Sequence, residues 1–267
     1  VLNRVISKAF KGSAPAQINI PRDMWTQVID IELPPIIKFE RPSGGSEAIK
    51  EAAKLLSNAD FPVILSGAGV VLADAINDCK ALAEKLDSPV ASGYQHNDSF
   101  PGSHPLAVGP LGYNGSKAAM ELISKADVVL ALGTRLNPFS TLPGYGIDYW
   151  PKDAAIIQVD INSDRIGLTK KVSVGICGDA KQVAQQLLNS LSPEAGNKNR
   201  DERKALIHQT KSAWLQTLSS MDHEDDDPGT SWNEEARVRD ADRMSPRMAW
   251  RAIQNGLPKN AIISSDI

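Results

Sequence analysis

The sequence predicts an α/β protein built on a doubly wound parallel sheet, and three observations carry that reading. Apolar runs of strand length recur through residues 46–192, amphipathic segments of helical period separate them, and glycine or polar turns follow the runs. Strands that alternate with helices make βαβ units, whose crossovers cover both faces of a parallel sheet. The chain is 267 residues long, 42% hydrophobic and 23% charged, enough to bury a core and too apolar for wholesale disorder. A formal net charge of -3 offers no basic face, so neither a nucleic acid nor an acidic membrane surface is an expected partner. No apolar run approaches the roughly 18 residues that span a bilayer.

The elements follow in order. Residues 1–10 carry a helical pattern and residues 16–20 a strand that Pro21 stops, the whole reading as the tail of a preceding domain over 1–34. The central domain is expected over 35–192. Its first helix, 46–59, lines up Ala48, Ile49, Ala52, Ala53, Leu56 and Ala59, with Ser46 as N-cap. Residues 62–66 form an uninterrupted apolar strand ending in Gly67-Ala68-Gly69, and 73–86 repeat the helical period through Ile76, Cys79, Leu82, Ala83 and Leu86. Strands are predicted at 89–92, 127–133, 155–161 and 172–177, and helices at 116–125 and 180–191. Residues 193–243 are dense in charge of both signs and read as a helical linker with a helix over 200–219. From Met244 a new unit begins, with Ser245 as N-cap, Pro246 at the first helical position, and a strand from Ala261.

Cys79 and Cys177 lack metal-ligand spacing and are expected as small core residues in a reducing, cytoplasmic setting. The chain opens at Val1 and closes in Ser264-Ser265-Asp266-Ile267, which reads as an internal piece of a longer protein with no targeting segment to judge.

Several motifs point toward chemistry, each with a plainer alternative. Gly67-Ala68-Gly69 follows a buried strand where a nucleotide turn belongs, yet position 72 is Leu rather than a third glycine. A tight βα turn is the plainer explanation of this feature taken alone. The run from Gly109 through Gly112 and Gly115 to Ser116-Lys117 opens a helix as an anion loop does, without the Gly-Lys-Ser/Thr order of a Walker motif. Arg135, just past the strand at 127–133, either sits where doubly wound folds collect anionic ligands or braces the loop 138–146 from the surface. Asp160 and Asp179 each either meet a ribose or cap a turn. His96, in the polar cluster after the strand at 89–92, and nearby His104 are candidates for acid–base work or ordinary loop residues. The acidic stretch 222–227 lacks the glycine and alternating ligands of a calcium loop.

Taken together, these segments resemble a known family. Residues 16–23 are similar to the last strand of the pyrimidine-binding domain in thiamine-diphosphate-dependent enzymes of the acetolactate synthase type. Residues 61–69, 100–106, 126–135, 159–167 and 178–180 resemble, in order, that family's central domain. Residues 244–267 resemble the opening of its diphosphate-binding domain. Within the family, residues 93–97, 107–115, 135–146 and 223–229 are most similar to the branch that turns sulfoacetaldehyde and phosphate into acetyl phosphate and sulfite during taurine breakdown. The resemblance implies an acyltransferase with small anionic substrates, working as a homo-oligomer, a dimer or tetramer. It implies thiamine diphosphate and Mg2+ in the full-length enzyme, with the activating Glu before Val1 and the magnesium ligands after Ile267. A fragment so cut is expected to be inactive alone. In relatives the central domain holds FAD or ADP, and Gly67, Gly69, Arg135, Asp160 and Asp179 match the positions of those ligands. The alternatives are another carboligase or decarboxylase of the family, or a non-catalytic nucleotide-binding module.

Overall fold

The computed structural model describes residues 1–12, 14–32, 40–220, 246–258 and 260–263. Its centre is set by two strands whose sequences leave no polar face. β1 (Pro62–Ser66) and β4 (Val128–Leu132) are buried at every position and pair in parallel from Pro62 opposite Val128 to Ser66 opposite Leu132. Burial on both faces is what an unbroken apolar run requires. β2 (Val90–Ser92) and β3 (Ala107–Pro110) extend the sheet on the β1 side; β5 (Ala155–Asp160) and β6 (Val174–Cys177) extend it beyond β4. The resulting six-stranded order is β3-β2-β1-β4-β5-β6, parallel throughout. This is the doubly wound sheet that the strand–helix alternation predicts.

Helices bury the faces that their period marks. α1 (Leu2–Gly12) contributes no buried residue. α2 (Ser46–Asn58) buries Ile49, Ala52, Ala53 and Leu56. The predicted helix over 73–86 begins three residues later, as α4 (Ile76–Leu86), and a short helix, α3 (Ala68–Leu72), precedes it from the glycine turn. Asp74 between them takes a left-handed φ of 55°, and its carboxylate meets Lys181 Nζ at 3.1 Å. The apolar period runs through this break without recording it. α5 (Lys117–Ile123) starts at Ser116, whose Oγ accepts from the Ala119 N–H at 3.3 Å. α6 (Ala180–Ser190) packs against α2 and α4, and the long α7 (Arg200–Ser220) against α5. α8 (Pro246–Gly256) follows the predicted entry at Pro246, while Ser245 lies outside the described residues.

Other details differ from expectation for identifiable reasons. Ser46 is the first helical residue rather than the cap; Gly45 holds that position without a side-chain bond. β3 was hidden in the glycine run, because Gly109 (φ +92°) sits in an edge strand whose register against β2 shifts at Val90/Ala91. Residues 16–20 form no strand and find no ladder partner among the described residues, and 261–263 are likewise outside any strand. The acidic stretch 222–227 lies outside the described residues. Cys79 is buried in the core, and burial pushes its thiol up to about 12. Cys177 is exposed, contrary to the core reading, since only alternate residues of the edge strand β6 face inward.

The charged α7 is anchored by a buried cation. Arg203 is 1% exposed and gives all five guanidinium donors to backbone carbonyls. Nε donates to Asp87 O at 3.0 Å, Nη1 to Asp60 O and Lys198 O at 2.7 Å each, and Nη2 to Leu86 O at 3.0 Å and Gly196 O at 2.6 Å. Burial pulls its pKa below the usual guanidinium range, and the Asp87 charge acts against that shift. Asp87, left-handed at the end of α4, also pairs with Arg200 and with Lys204 at 3.2 Å.

Candidate functional site

The strand order reverses direction between β1 and β4, the switch point at which open α/β sheets leave a crevice beyond their carboxyl ends. A cavity of about 800 Å³ opens there. The turns after β1, β2, β4, β5 and β6 all contribute to its wall, and residues of α1 close one side. All five sequence-predicted positions, Gly67, Gly69, Arg135, Asp160 and Asp179, line this one cavity.

Their environments differ. Gly67 and Gly69 are consumed by the contact between the turns after β1 and β4. The Gly67 N–H donates to Leu132 O at 3.1 Å and the Gly69 N–H to Gly133 O at 2.8 Å. A Cβ on Gly67 would lie 2.6 Å from Thr134 Cβ, and one on Gly69 2.7 Å from Gly133 Cα. The glycines therefore allow two backbones to meet. Asp179 is engaged on both oxygens: Oδ1 caps α6 by accepting from the Lys181 and Gln182 N–H groups at 3.1 and 3.3 Å, and Oδ2 accepts from Arg41 Nη1 at 2.8 Å. Asp160 is 6% exposed, and its Oδ1 accepts from the Asn162 N–H at 2.8 Å. Its other oxygen has no partner among the described residues, so it keeps acceptor capacity at the cavity wall.

Arg135 is exposed, and its guanidinium makes no hydrogen bond or ion pair among the described residues. It precedes Leu136, a fully buried residue at φ 53°, where a side chain crowds its own backbone. The Leu136 N–H donates to Thr134 Oγ1 at 3.3 Å and its carbonyl accepts from Thr169 Oγ1 at 2.7 Å, which holds the bend.

Of the two histidines, His96 lines the cavity, with Nδ1 3.9 Å from Asp98 Oδ1. His104 lies elsewhere, edge-on to Phe100 and 3.3 Å from Glu84. Tyr94, also at the cavity, stacks on Phe139 with centroids 6.0 Å apart. The glycine run 109–115 serves loop packing: a Cβ on Gly112 (φ +83°) would lie 1.9 Å from Phe139 O. Lys117 pairs with Glu121 within α5 at 3.7 Å.

Sequence reasoning missed Arg41, Arg165 and Gln158. Arg165 lines the cavity and its guanidinium has no partner among the described residues. Gln158 is 1% exposed in the middle of β5. A lone amide inside the run Ile156-Ile157-Gln158-Val159 was the available signal, since buried polar groups are there to be bonded. Among the described residues, no group of three or more His, Cys, Asp or Glu side chains is placed to hold a metal ion. No described helix is long and apolar enough to cross a membrane.

A family model for the thiamine pyrophosphate enzyme central domain matches residues 49–187, the span from α2 into α6 that carries the whole sheet and the cavity turns. Over 267 residues the chain is 78% identical to a probable sulfoacetaldehyde acetyltransferase of Rhizobium meliloti (strain 1021), covering 100% of this chain and 45% of that protein. It is 74% identical over the same length to a sulfoacetaldehyde acetyltransferase of Roseovarius nubinhibens, covering 44% of it. A probable acetolactate synthase large subunit of Methanocaldococcus jannaschii is 38% identical over 214 residues, 78% of this chain and 34% of that protein. The chain thus spans less than half the length of these relatives. With its switch-point cavity and matched sheet, the chain belongs to the thiamine pyrophosphate enzyme family and carries that family's central domain.

Proposed function

We propose that the protein carrying this chain is an acyltransferase that converts sulfoacetaldehyde and phosphate into acetyl phosphate and sulfite, with thiamine diphosphate and Mg2+. The observation that carries this reading is 78% and 74% identity, end to end along the chain, to sulfoacetaldehyde acetyltransferases. Thiamine diphosphate, when bound, supplies a nucleophilic carbon and an electron sink. The described residues hold no acidic cluster suited to its metal, and no step of the transfer is assigned to them. In this reading residues 1–34 end a pyrimidine-binding domain, 35–192 are the central domain, 193–243 a linker and 244–267 the start of a diphosphate-binding domain. The chain alone is expected to be inactive, and the whole protein to be a cytoplasmic homo-oligomer.

The cavity is proposed to take the nucleotide part of FAD or ADP. The half-free Asp160 carboxylate suits a ribose hydroxyl, Arg135 brings positive charge, and Gly67, Gly69 and Asp179 shape the wall. Two assays test these readings. The full-length protein should release sulfite from sulfoacetaldehyde only when phosphate is present. Acetolactate formed from pyruvate, with no sulfite release, would favour a carboligase, the activity named for the 38% identical relative. Calorimetric titration with FAD and ADP tests the cavity; tight binding without either activity would leave a nucleotide-binding module.

A further inference from the structure

We infer that Lys211, on the linker helix α7, is a self-acylation site whose amine takes the acetyl group from an acyl phosphate. The inference rests on the proposed reaction for the source of the acyl donor, and on the geometry of the amine for the site.

Lys211 reaches from α7 to the connection between β2 and β3. Its Nζ donates to Pro105 O at 2.7 Å and to His104 O at 3.3 Å. Both partners are uncharged, and the ammonium has no carboxylate within ion-pair reach among the described residues. Neighbouring lysines are held differently. Lys198 faces Asp60 at 2.7 Å, and Lys204, on the same helix, faces Asp87 at 3.2 Å.

That difference decides which amine can become a nucleophile. An ammonium carries three donors, and loss of a proton leaves two N–H groups and a lone pair. Lys198 and Lys204 give up an ion pair when they lose the proton. Lys211 gives up no bond: two N–H groups still serve the two carbonyls, and the lone pair takes the place of the third donor. Burial acts in the same direction, holding the Lys211 pKa below the usual lysine range, and no charged neighbour contributes to that shift. The residue is half-buried, so the amine is partly desolvated without being sealed off. A desolvated neutral lysine is an activated nucleophile.

The step is a simple acyl transfer. Nζ attacks the carbonyl carbon of acetyl phosphate, and the new N–C bond forms as the C–O bond to phosphate breaks. Phosphate leaves with that electron pair and takes up the proton that the nitrogen loses. No oxidant or reductant is consumed. The resulting amide nitrogen keeps one N–H for two carbonyls, so α7 loses one of its ties to the β2–β3 connection.

The test incubates the full-length protein with acetyl phosphate at neutral pH and follows acetylation of each lysine by peptide mass spectrometry, in native buffer and in urea. Lys211 should be acetylated severalfold faster than Lys198 and Lys204 in the native protein. In urea the three rates should converge, because the fold no longer separates them. A native rate at Lys211 no greater than at the other two overturns the site, as does an excess that survives in urea. The acyl donor is added directly, so the site and the proposed reaction fail separately. Selective acetylation of a protein that releases no sulfite keeps the site and overturns the reaction; sulfite release with Lys211 unmodified does the reverse. Lys211→Gln, a neutral stand-in for the acetylated side chain, reads the lost tie. Amide hydrogen exchange over residues 205–215 should be severalfold faster in it than in Lys211→Arg, which keeps a cationic donor, and equal exchange overturns the loosening of α7.

Discussion

Arg203 and Arg135 carry the same guanidinium into opposite surroundings. Arg203 lies in a segment whose charge density reads as a helical linker, yet it is 1% exposed with every donor placed on a carbonyl. Arg135 lies in the domain that the sequence marks as folded, yet it is exposed and unpartnered among the described residues. The difference shows that neither charge density nor position assigns a role to an arginine; the accounting of its donors does. A cation with all donors satisfied internally holds structure, and one left open at a cavity wall is available to a ligand.

That contrast is broken most directly at Arg203. Arg203→Met should lower unfolding stability in urea by about 3 kcal/mol or more, because it strands buried carbonyls in place of five charge-assisted bonds. Arg203→Lys, with three donors, should fall between that variant and wild type. A Met variant as stable as wild type would show that α7 is not anchored here.

The glycine turn should behave like Arg203 rather than like Arg135. Gly69→Ala forces a Cβ to within 2.7 Å of Gly133 Cα, a backbone atom with nowhere to move. A loss of about 2 kcal/mol is expected in the same denaturation experiment. A smaller loss, about 1 kcal/mol, is expected for Asp179→Ala, which removes the cap of α6. Asp179→Asn keeps an accepting oxygen for the cap and gives up the charge and the hydrogen bond facing Arg41, whose side chain is 58% exposed and can turn to solvent, so it should cost less than about 0.5 kcal/mol. Equal losses in the two Asp179 variants would mean that the ion pair outweighs the cap.

Much of the fold was legible because the physics that builds it is local and periodic. β1 was read to the residue, since an apolar run between a polar stop and glycine has no other use in a parallel sheet. The break at Asp74 was not legible, because a left-handed residue leaves the apolar period intact. β3 was missed because an edge strand containing Gly109 has neither alternation nor an apolar run. The site divides the same way. Gly67, Gly69, Arg135, Asp160 and Asp179 were found because the ends of strands in such a sheet converge on one crevice. What each of them does there depended on contacts across the sheet: Gly67 and Gly69 against the turn after β4, Asp179 against Arg41. Gln158 and Arg165 were overlooked for the same reason, since the bonds linking the two turns are seen only once β4 and β5 are neighbours.

The smallest expected effect is the sharpest test of the contrast. Arg135→Gln and Arg165→Gln should each change unfolding stability by less than about 0.5 kcal/mol, because an exposed side chain with no internal partner leaves nothing unsatisfied when shortened. The two changes should also add, since neither guanidinium has a partner through which to couple. The backbone carbonyls of Thr134 and Arg165 stay bonded to Gln158 in both variants, so the turns keep their shape. Adding ADP should then separate what denaturant alone does not. Ligand that binds only the folded state raises the unfolding midpoint in proportion to its affinity, so the ADP-induced shift should shrink in Arg135→Gln while the unliganded midpoint stays put. An unliganded midpoint that drops in Arg135→Gln would place that arginine with Arg203, as a residue that holds the fold.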